Sequence, residues 1–172
     1  MNQPVPMRRL RQSGVSLIVV LVLLLVMTLL GLAVLGSTLL EERMSANMYD
    51  RSLGFQAAES ALREGEALAA TNPLVPVAGC AAGLCAIPVA ADPDRWTSAA
   101  FTGWQSASSD LGPLPAPASF IVEYMGEAPT WPGCDRQIPM SDLCMSPRYR
   151  ITARSTAPDR ADVLLQTNFI LQ

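Results

Sequence analysis

The chain divides by its pattern of apolar and polar positions. From Gln12 to Leu40 no residue is charged, and Val15 to Leu40 (VSLIVVLVLLLVMTLLGLAVLGSTLL) is almost wholly apolar. Its polar members are Ser16, Thr28, Ser37 and Thr38, whose hydroxyls can bond back to their own helix. About 20 apolar residues are needed to cross the core of a bilayer, so this run predicts a membrane-spanning helix. The pattern then changes. Leu39 to Ala70 contains no Pro and is rich in Ala, Leu, Glu and Arg, which again predicts helix. Leu40, Met44, Met48, Phe55, Ala58, Leu62 and Ala69 fall on one narrow stripe at the helical period, interrupted by Arg51. Glu41, Glu42, Arg63 and Glu64 lie elsewhere. The stripe is expected to pack on a globular head or against neighbouring helices. An unbroken helix from Val15 to Ala70 measures roughly 80 Å at 1.5 Å per residue. Gly31 and Gly36 weaken it locally. With Ala33 they also permit close approach of helices in lipid.

The second half of the chain has a different rhythm. Thr71 to Pro117 is rich in Ala, Pro, Gly and Ser and reads as loops and turns. Asn72-Pro73 is expected to end the long helix, because a residue before Pro disfavours helical backbone. Strand patterns come late. Ser119 to Met125 sets Phe120, Val122 and Tyr124 against Ile121, Glu123 and Met125. Arg148 to Ala157 sets Tyr149, Ile151 and Ala153 against Arg148, Arg150, Thr152 and Arg154. After the turn Pro158-Asp159-Arg160, Ala161 to Leu171 forms a third strand, with Val163, Leu165 and Phe169 on one face. These predict an antiparallel sheet of at least three strands, one face covered by the helix and one facing outward. The fold class is α+β.

Composition narrows the chemistry. Of the 172 residues 50% are hydrophobic and 16% charged, the formal net charge is -3, and every positive charge is an Arg. There is no His, which excludes Ser-His-Asp and Cys-His catalysis, imidazole metal ligation and a His proton switch. The acidity argues against nucleic-acid binding. No phosphate-cradling Gly loop or activated nucleophile emerges, so neither an enzyme nor a cofactor is expected. The four cysteines lack the C-x2-C spacing of structural zinc sites. They allow three pairings, of which two local disulfides, Cys80–Cys85 and Cys134–Cys144, are favoured. Asp92, Asp94 and Asp110 lack calcium-ligand spacing, so no metal is expected. Trp96, Phe101 and Trp104 read as core, with a protein-contact patch as the alternative. The Arg row of the second strand reads as a solvated face.

The N-terminus carries the sharpest signal. Met1 to Gly14 contains Pro4, Pro6, Arg8, Arg9 and Arg11 and no acidic residue. Three Arg ahead of the apolar run, against Glu41-Glu42-Arg43 behind it, place the N-terminus in the cytoplasm and the remainder in the periplasm or outside. A cleaved secretory signal would have a shorter apolar run followed by a small-x-small site. A plain single-span anchor would need no processing. A third possibility rests on the basic segment ending in Gly14, with the apolar helix starting on the next residue.

That arrangement resembles the leader of type IV prepilins. The resemblance implies cleavage after Gly14 by prepilin peptidase and methylation of Val15, with the apolar helix kept in the mature chain. Most pilins carry a Glu four residues after the mature N-terminus, where it pairs with the terminal amine of a neighbouring subunit. Here that position is Val19, which suits a subunit at the end of a filament. The sequence LLEERMSANMYDRSLGFQAAESALR, with its EERM, DR and FQAAESALR blocks in order, resembles the N-terminal signature of PilX-type minor pilins. The resemblance runs from about Ser13 to Ala70. It implies a pilin-like fold: leader 1–14, transmembrane assembly half 15–40, amphipathic half 41–70, and a periplasmic head 71–172. It further implies a subunit of a tip complex that primes pilus assembly and supports adhesion and twitching motility. Its partners would be other minor pilins and the major pilin, prepilin peptidase, a large tip adhesin and membrane lipid. The helix-packing candidates are Val19, Gly31, Gly36, Met44, Met48, Phe55 and Leu62. In many major pilins the last disulfide encloses the final strand, whereas here both cysteine pairs precede it. The alternatives are a single-span anchored periplasmic binding protein and the tip pseudopilin of a type II secretion system.

Overall fold

A computed structural model describes residues 14–109 and 116–171, apart from the side chains of residues 35 and 37. The leader arginines Arg8, Arg9 and Arg11, and Asp110, lie outside the described residues. The chain forms two compact units, residues 1–46 and 47–172. A single helix, α1, runs Val15–Ala70 and contributes to both.

In the first unit the apolar side chains of α1 point outward. Leu17, Ile18, Leu21, Leu24, Leu30 and Leu32 are all exposed. Thr28 Oγ1 donates to the Leu25 carbonyl at 2.8 Å, and Thr38 Oγ1 to the Val34 carbonyl at 3.0 Å. Each hydroxyl is thereby satisfied within the helix, as an apolar surrounding demands. The helix is long and apolar enough to cross a membrane.

The second unit is a sheet with the last turns of α1 on one face. Its strands are β1 (Cys80–Ala81), β2 (Leu84–Cys85), β3 (Gln105–Ser106), β4 (Ser119–Pro129), β5 (Met145–Ser155) and β6 (Val163–Ile170). The order is β1-β2-β4-β5-β6, with β3 also on β4. All pairs are antiparallel except β2 with β4. The sheet is therefore larger than the three expected strands, and mixed. The extra strands are two residues long, too short to leave a periodic signal. Helix α1 stops at Ala70, two residues before Asn72, whose φ of 49° turns the chain away ahead of Pro73.

The core lies between α1 and the sheet. Ala57, Ala61 and Ala69 meet Phe120, Val122, Tyr149, Ile151 and Ala153. The helix contributes mostly small residues because the sheet approaches closely. A Cβ added at Gly65 would stand 2.6 Å from Ile151 Cγ2 and 3.2 Å from Phe120 Cδ2. The core stripe is thus Leu53, Ala57, Ala61, Gly65 and Ala69, set to one side of the stripe of larger residues in the sequence. Ala58 and Ala69 of that expected stripe are fully buried and Leu62 is half-buried, while Leu40, Met44, Met48 and Phe55 are exposed. Asp50 receives a hydrogen bond from the Ala161 amide at 2.6 Å and pairs with Arg160, fastening α1 to the β5–β6 turn.

The expectation of an outward-facing second sheet face is corrected. Ile121, Glu123 and Thr152 are fully buried there. The connection between α1 and β4 supplies the cover, since Arg95, Trp96 and Trp104 come from it and reach side chains on that face.

Candidate functional site

Three features of the chain have the chemistry to contact other molecules: the exposed apolar surface of α1, the covered outer face of the head, and the loops held by disulfides. Along α1, Val15 and Val19 are exposed, and a Cβ added at Gly31 or Gly36 would meet nothing within 4 Å. Met44, Met48, Tyr49 and Phe55 continue this exposed apolar surface. The helix-packing candidates other than Leu62 are therefore all exposed. Gly14, with φ of 83°, immediately precedes the first helical residue.

The outer face is organised around one carboxylate. Glu123 on β4 is fully buried. Its Oε1 accepts from Arg95 Nη1 at 2.7 Å, and its Oε2 accepts from Arg150 Nε at 2.9 Å, with Arg150 Nη2 in ion-pair contact at the same distance. Arg95 also donates to the Ala86 carbonyl at 2.9 Å, which ties the chain after β2 to the same point. Arg150 lies 4.1 Å over the Trp96 ring, and Asp94 stands 3.7 Å from its Nη2. Arg154 lies 3.9 Å over Trp104, which meets Phe101 edge-on at 6.0 Å. Burial lowers the pKa of Arg154, and Asp162 opposes that shift. The arginine row expected to face solvent is thus half-buried, with Arg150 and Arg154 stacked on aromatic rings. The aromatic cluster is the lid that covers it rather than a sealed core. Cation–π stacking suits guanidinium, which sheds water more readily than ammonium.

A cleft of about 570 Å³ opens beside this cluster, walled by Ile87, Val89, Phe101 and Met125, with Asp94 and Arg150 on its polar side. Arg95 and Arg150 both border the cleft and both are engaged by Glu123, so the arrangement works as a clamp. Among the described residues no group of three or more His, Cys, Asp or Glu side chains is placed to hold a metal.

A second carboxylate ties the helix to the covering loop. Glu64 on α1 accepts from the Ser108 amide at 2.8 Å and from the Ser109 amide at 3.0 Å. Burial works against its charged form, but the hydrogen bonds from Ser108 and Ser109 outweigh it and hold its pKa below the ordinary value. Ser60 donates to Ser109 at 2.7 Å beside it. Tyr149 donates to Asn72 Oδ1 at 3.0 Å from the core side.

The disulfides are Cys80–Cys85, which closes the β1–β2 turn, and Cys134–Cys144, within the β4–β5 connection. All four cysteines are consumed. The second closes a loop that exposes Ile138, Met140 and Leu143.

Sequence reasoning did not single out Glu123, Arg95 or Glu64. The available signal for Glu123 was an acidic residue between Val122 and Tyr124 in the otherwise uncharged run Ser119 to Met125. For Arg95 and Glu64 the sequence held no local signal, because their partners lie 28 and 44 positions away.

Comparison with known families covers nearly all of the described chain. The family described as PilX N-terminal matches residues 13–63, and the family described as Type IV pilus assembly protein PilX C-term matches residues 56–171. No curated protein and no solved structure matches the chain. The two matches follow in chain order, the first on the apolar helix and its EERM–FQAAESALR continuation, the second on the head. With a long N-terminal helix whose last turns pack on a mixed sheet, the chain belongs to the PilX family of type IV pilus assembly proteins, and is a minor pilin.

Proposed function

We propose that the chain is a subunit of the pilus tip complex that primes type IV pilus assembly and thereby supports adhesion and twitching motility. In this reading prepilin peptidase cuts after Gly14 on the cytoplasmic side and Val15 is methylated. The mature helix sits in the inner membrane with its head in the periplasm. It then passes into the filament, where Val15–Ala70 packs against the helices of other minor pilins and the major pilin. The head then helps to carry a large tip adhesin.

The observation that carries this reading is α1 itself. It starts on the residue after Gly14, and its large apolar side chains from Val15 onward are exposed along the first half. Such a surface needs either lipid or other apolar helices around it. Val19 supplies no carboxylate to pair with a neighbour's terminal amine, and a charge there would be costly in lipid. A subunit without that pairing fits the end of a filament better than its repeated body.

The test is the intact mass and N-terminal sequence of the membrane form, made with and without a prepilin peptidase. A chain starting at methylated Val15 only when the peptidase is present is the expected result. A chain still starting at Met1 in both cases would overturn the reading in favour of a plain anchor. A cut near Gly36 would identify a secretory signal and remove the assembly helix.

A further inference from the structure

The two edges of the sheet are built differently. At one edge β1 and β2 are two residues long and cross-linked by Cys80–Cys85. Short, constrained edge strands resist pairing with other chains. The other edge is β6, eight residues long and bonded only to β5 among the described residues. It reads VLLQTNFI, with no charge, no Pro and no Gly. Its pairing with β5 runs without a register shift from Arg148↔Ile170 to Ser155↔Val163. Along β6 itself there is no inward charge, no bulge and no proline, three of the devices that protect a free edge.

The register shows which main-chain groups are free. The Leu171 amide donates to the Pro147 carbonyl at 3.0 Å, which marks that pair as hydrogen-bonded. In an antiparallel ladder, hydrogen-bonded pairs recur at every second residue. Phe169, Thr167, Leu165 and Val163 therefore point their amides and carbonyls at β5. Leu164, Gln166, Asn168 and Ile170 point theirs away from it. Side chains alternate with the same period. Val163, Leu165, Thr167 and Phe169 are half-buried, while Leu164, Gln166 and Asn168 are exposed on the opposite face.

We propose that this edge receives an extended strand from a different protein of the pilus machinery, which lengthens the sheet by main-chain hydrogen bonding. The inference goes beyond the tip-subunit reading and does not require leader cleavage. Only an extended backbone can answer a row of amides and carbonyls repeating over about 26 Å at 3.3 Å per residue. The guest strand carries apolar residues beside Leu165 and Phe169 and polar residues beside Gln166 and Asn168, and needs no charge. A second copy is a poor guest. Antiparallel self-pairing has its two-fold axis normal to the sheet, which reverses the sheet-packed turns of α1 in one copy. Subunits whose helices run in the same direction cannot pair in this way. Parallel self-pairing sets the apolar row of one copy beside the polar row of the other.

The experiment places the photocrosslinking residue benzoylphenylalanine at Leu164, Gln166 or Asn168 of the full chain, made in cells that assemble pili. Adducts are mapped by mass spectrometry. Adducts from all three positions should fall on one segment of one other pilus protein, advancing two residues at a time. In the chains labelled at Leu164 or Asn168, Gln166→Pro removes an outward amide but no ladder bond to β5 and should cut the yield about tenfold, whereas Gln166→Ala should retain it. Hydrogen exchange on the unsubstituted chain gives a reading independent of any variant. In the purified complex the amides of Leu164, Gln166, Asn168 and Ile170 should slow at least about tenfold relative to the isolated chain. Scattered adducts, adducts to lipid or to a second copy, or unchanged exchange at those four amides would overturn the proposal.

Discussion

The two parts of helix α1 differ in what they bury. From Val15 to Leu40 its described large aliphatic side chains point outward, and Gly31 and Gly36 leave small gaps among them. From Asn47 to Ala70 the buried positions are mostly Ala and Gly, and the larger apolar residues Met48, Tyr49 and Phe55 are exposed. The reason is what each part meets. A sheet already furnished with Phe120, Ile151 and Tyr149 leaves room only for small residues on the helix. A helix in lipid or among other helices has no such partner of its own chain, and its bulk is its contact surface. Large apolar side chains are therefore outward in the first part and mostly so in the second, where Leu53 is the buried exception and small residues make up the rest of the buried stripe. Stability of the head should then depend on residues that touch the sheet, while the first part should depend on its surroundings.

The largest expected effect comes from the carboxylate that holds the head's outer face closed. Glu123→Ala leaves Arg95 and Arg150 half-buried without their partner. Breaking a buried charge cluster from one side costs about 3–5 kcal/mol. The purified full chain in detergent should lose its head's thermal transition at a much lower temperature, with the helical signal of residues 15–40 kept. A midpoint within a degree or two of the parent would show that the clamp does not hold the head together.

The next effect separates the two parts of α1 directly. Gly65→Leu drives a side chain into Ile151 and Phe120 and should destabilise the head by about 1–3 kcal/mol or more, since overpacking forces backbone shifts. At Gly36 an added Cβ meets nothing within 4 Å, so Gly36→Leu should leave the same transition unmoved. Its effect, if the first part packs against other helices, belongs to co-purification of pilus subunits. Equal loss of head stability in both variants would refute the distinction between the two parts.

Much of this architecture was legible because it is periodic. The long helix, its end before Asn72-Pro73, and the centres of β4, β5 and β6 all follow from runs of apolar residues at period 3.6 or 2. The β5 row is the cleanest case, with Tyr149, Ile151 and Ala153 buried as the alternation demands. What escaped was non-local. Phe55 and Ala57 differ by two positions, and size alone favoured Phe55 for the core, yet the sheet's own bulk selects Ala57. The arginines of β5 looked solvated because nothing in a local window reveals that Trp96 and Trp104 fold over them. Glu123 likewise gains meaning only when Arg95, from the irregular connection, reaches it. Irregular segments leave no period, so the cover they form is invisible until the chain is folded.

The smallest expected effect concerns acid. Residues 15–40 contain no carboxylate, so lowering the pH should leave that part of α1 unaffected. The head differs at Glu64, whose folded pKa lies below its ordinary value of 4.5 because the Ser108 and Ser109 amides favour the charged form over the opposing effect of burial. For a carboxylate depressed on folding, the unfolded chain takes up the proton first as the pH falls. Glu64 therefore contributes its full stabilisation above the ordinary carboxylate range and loses it on descent through the folded pKa. Glu64→Gln removes this contribution at every pH. The thermal midpoints of parent and variant, followed from about pH 7 to about pH 3, should differ most at neutral pH and converge in acid. Parallel curves would mean that Glu64 contributes packing alone. They would also mean that the acid sensitivity of the head arises elsewhere among its carboxylates.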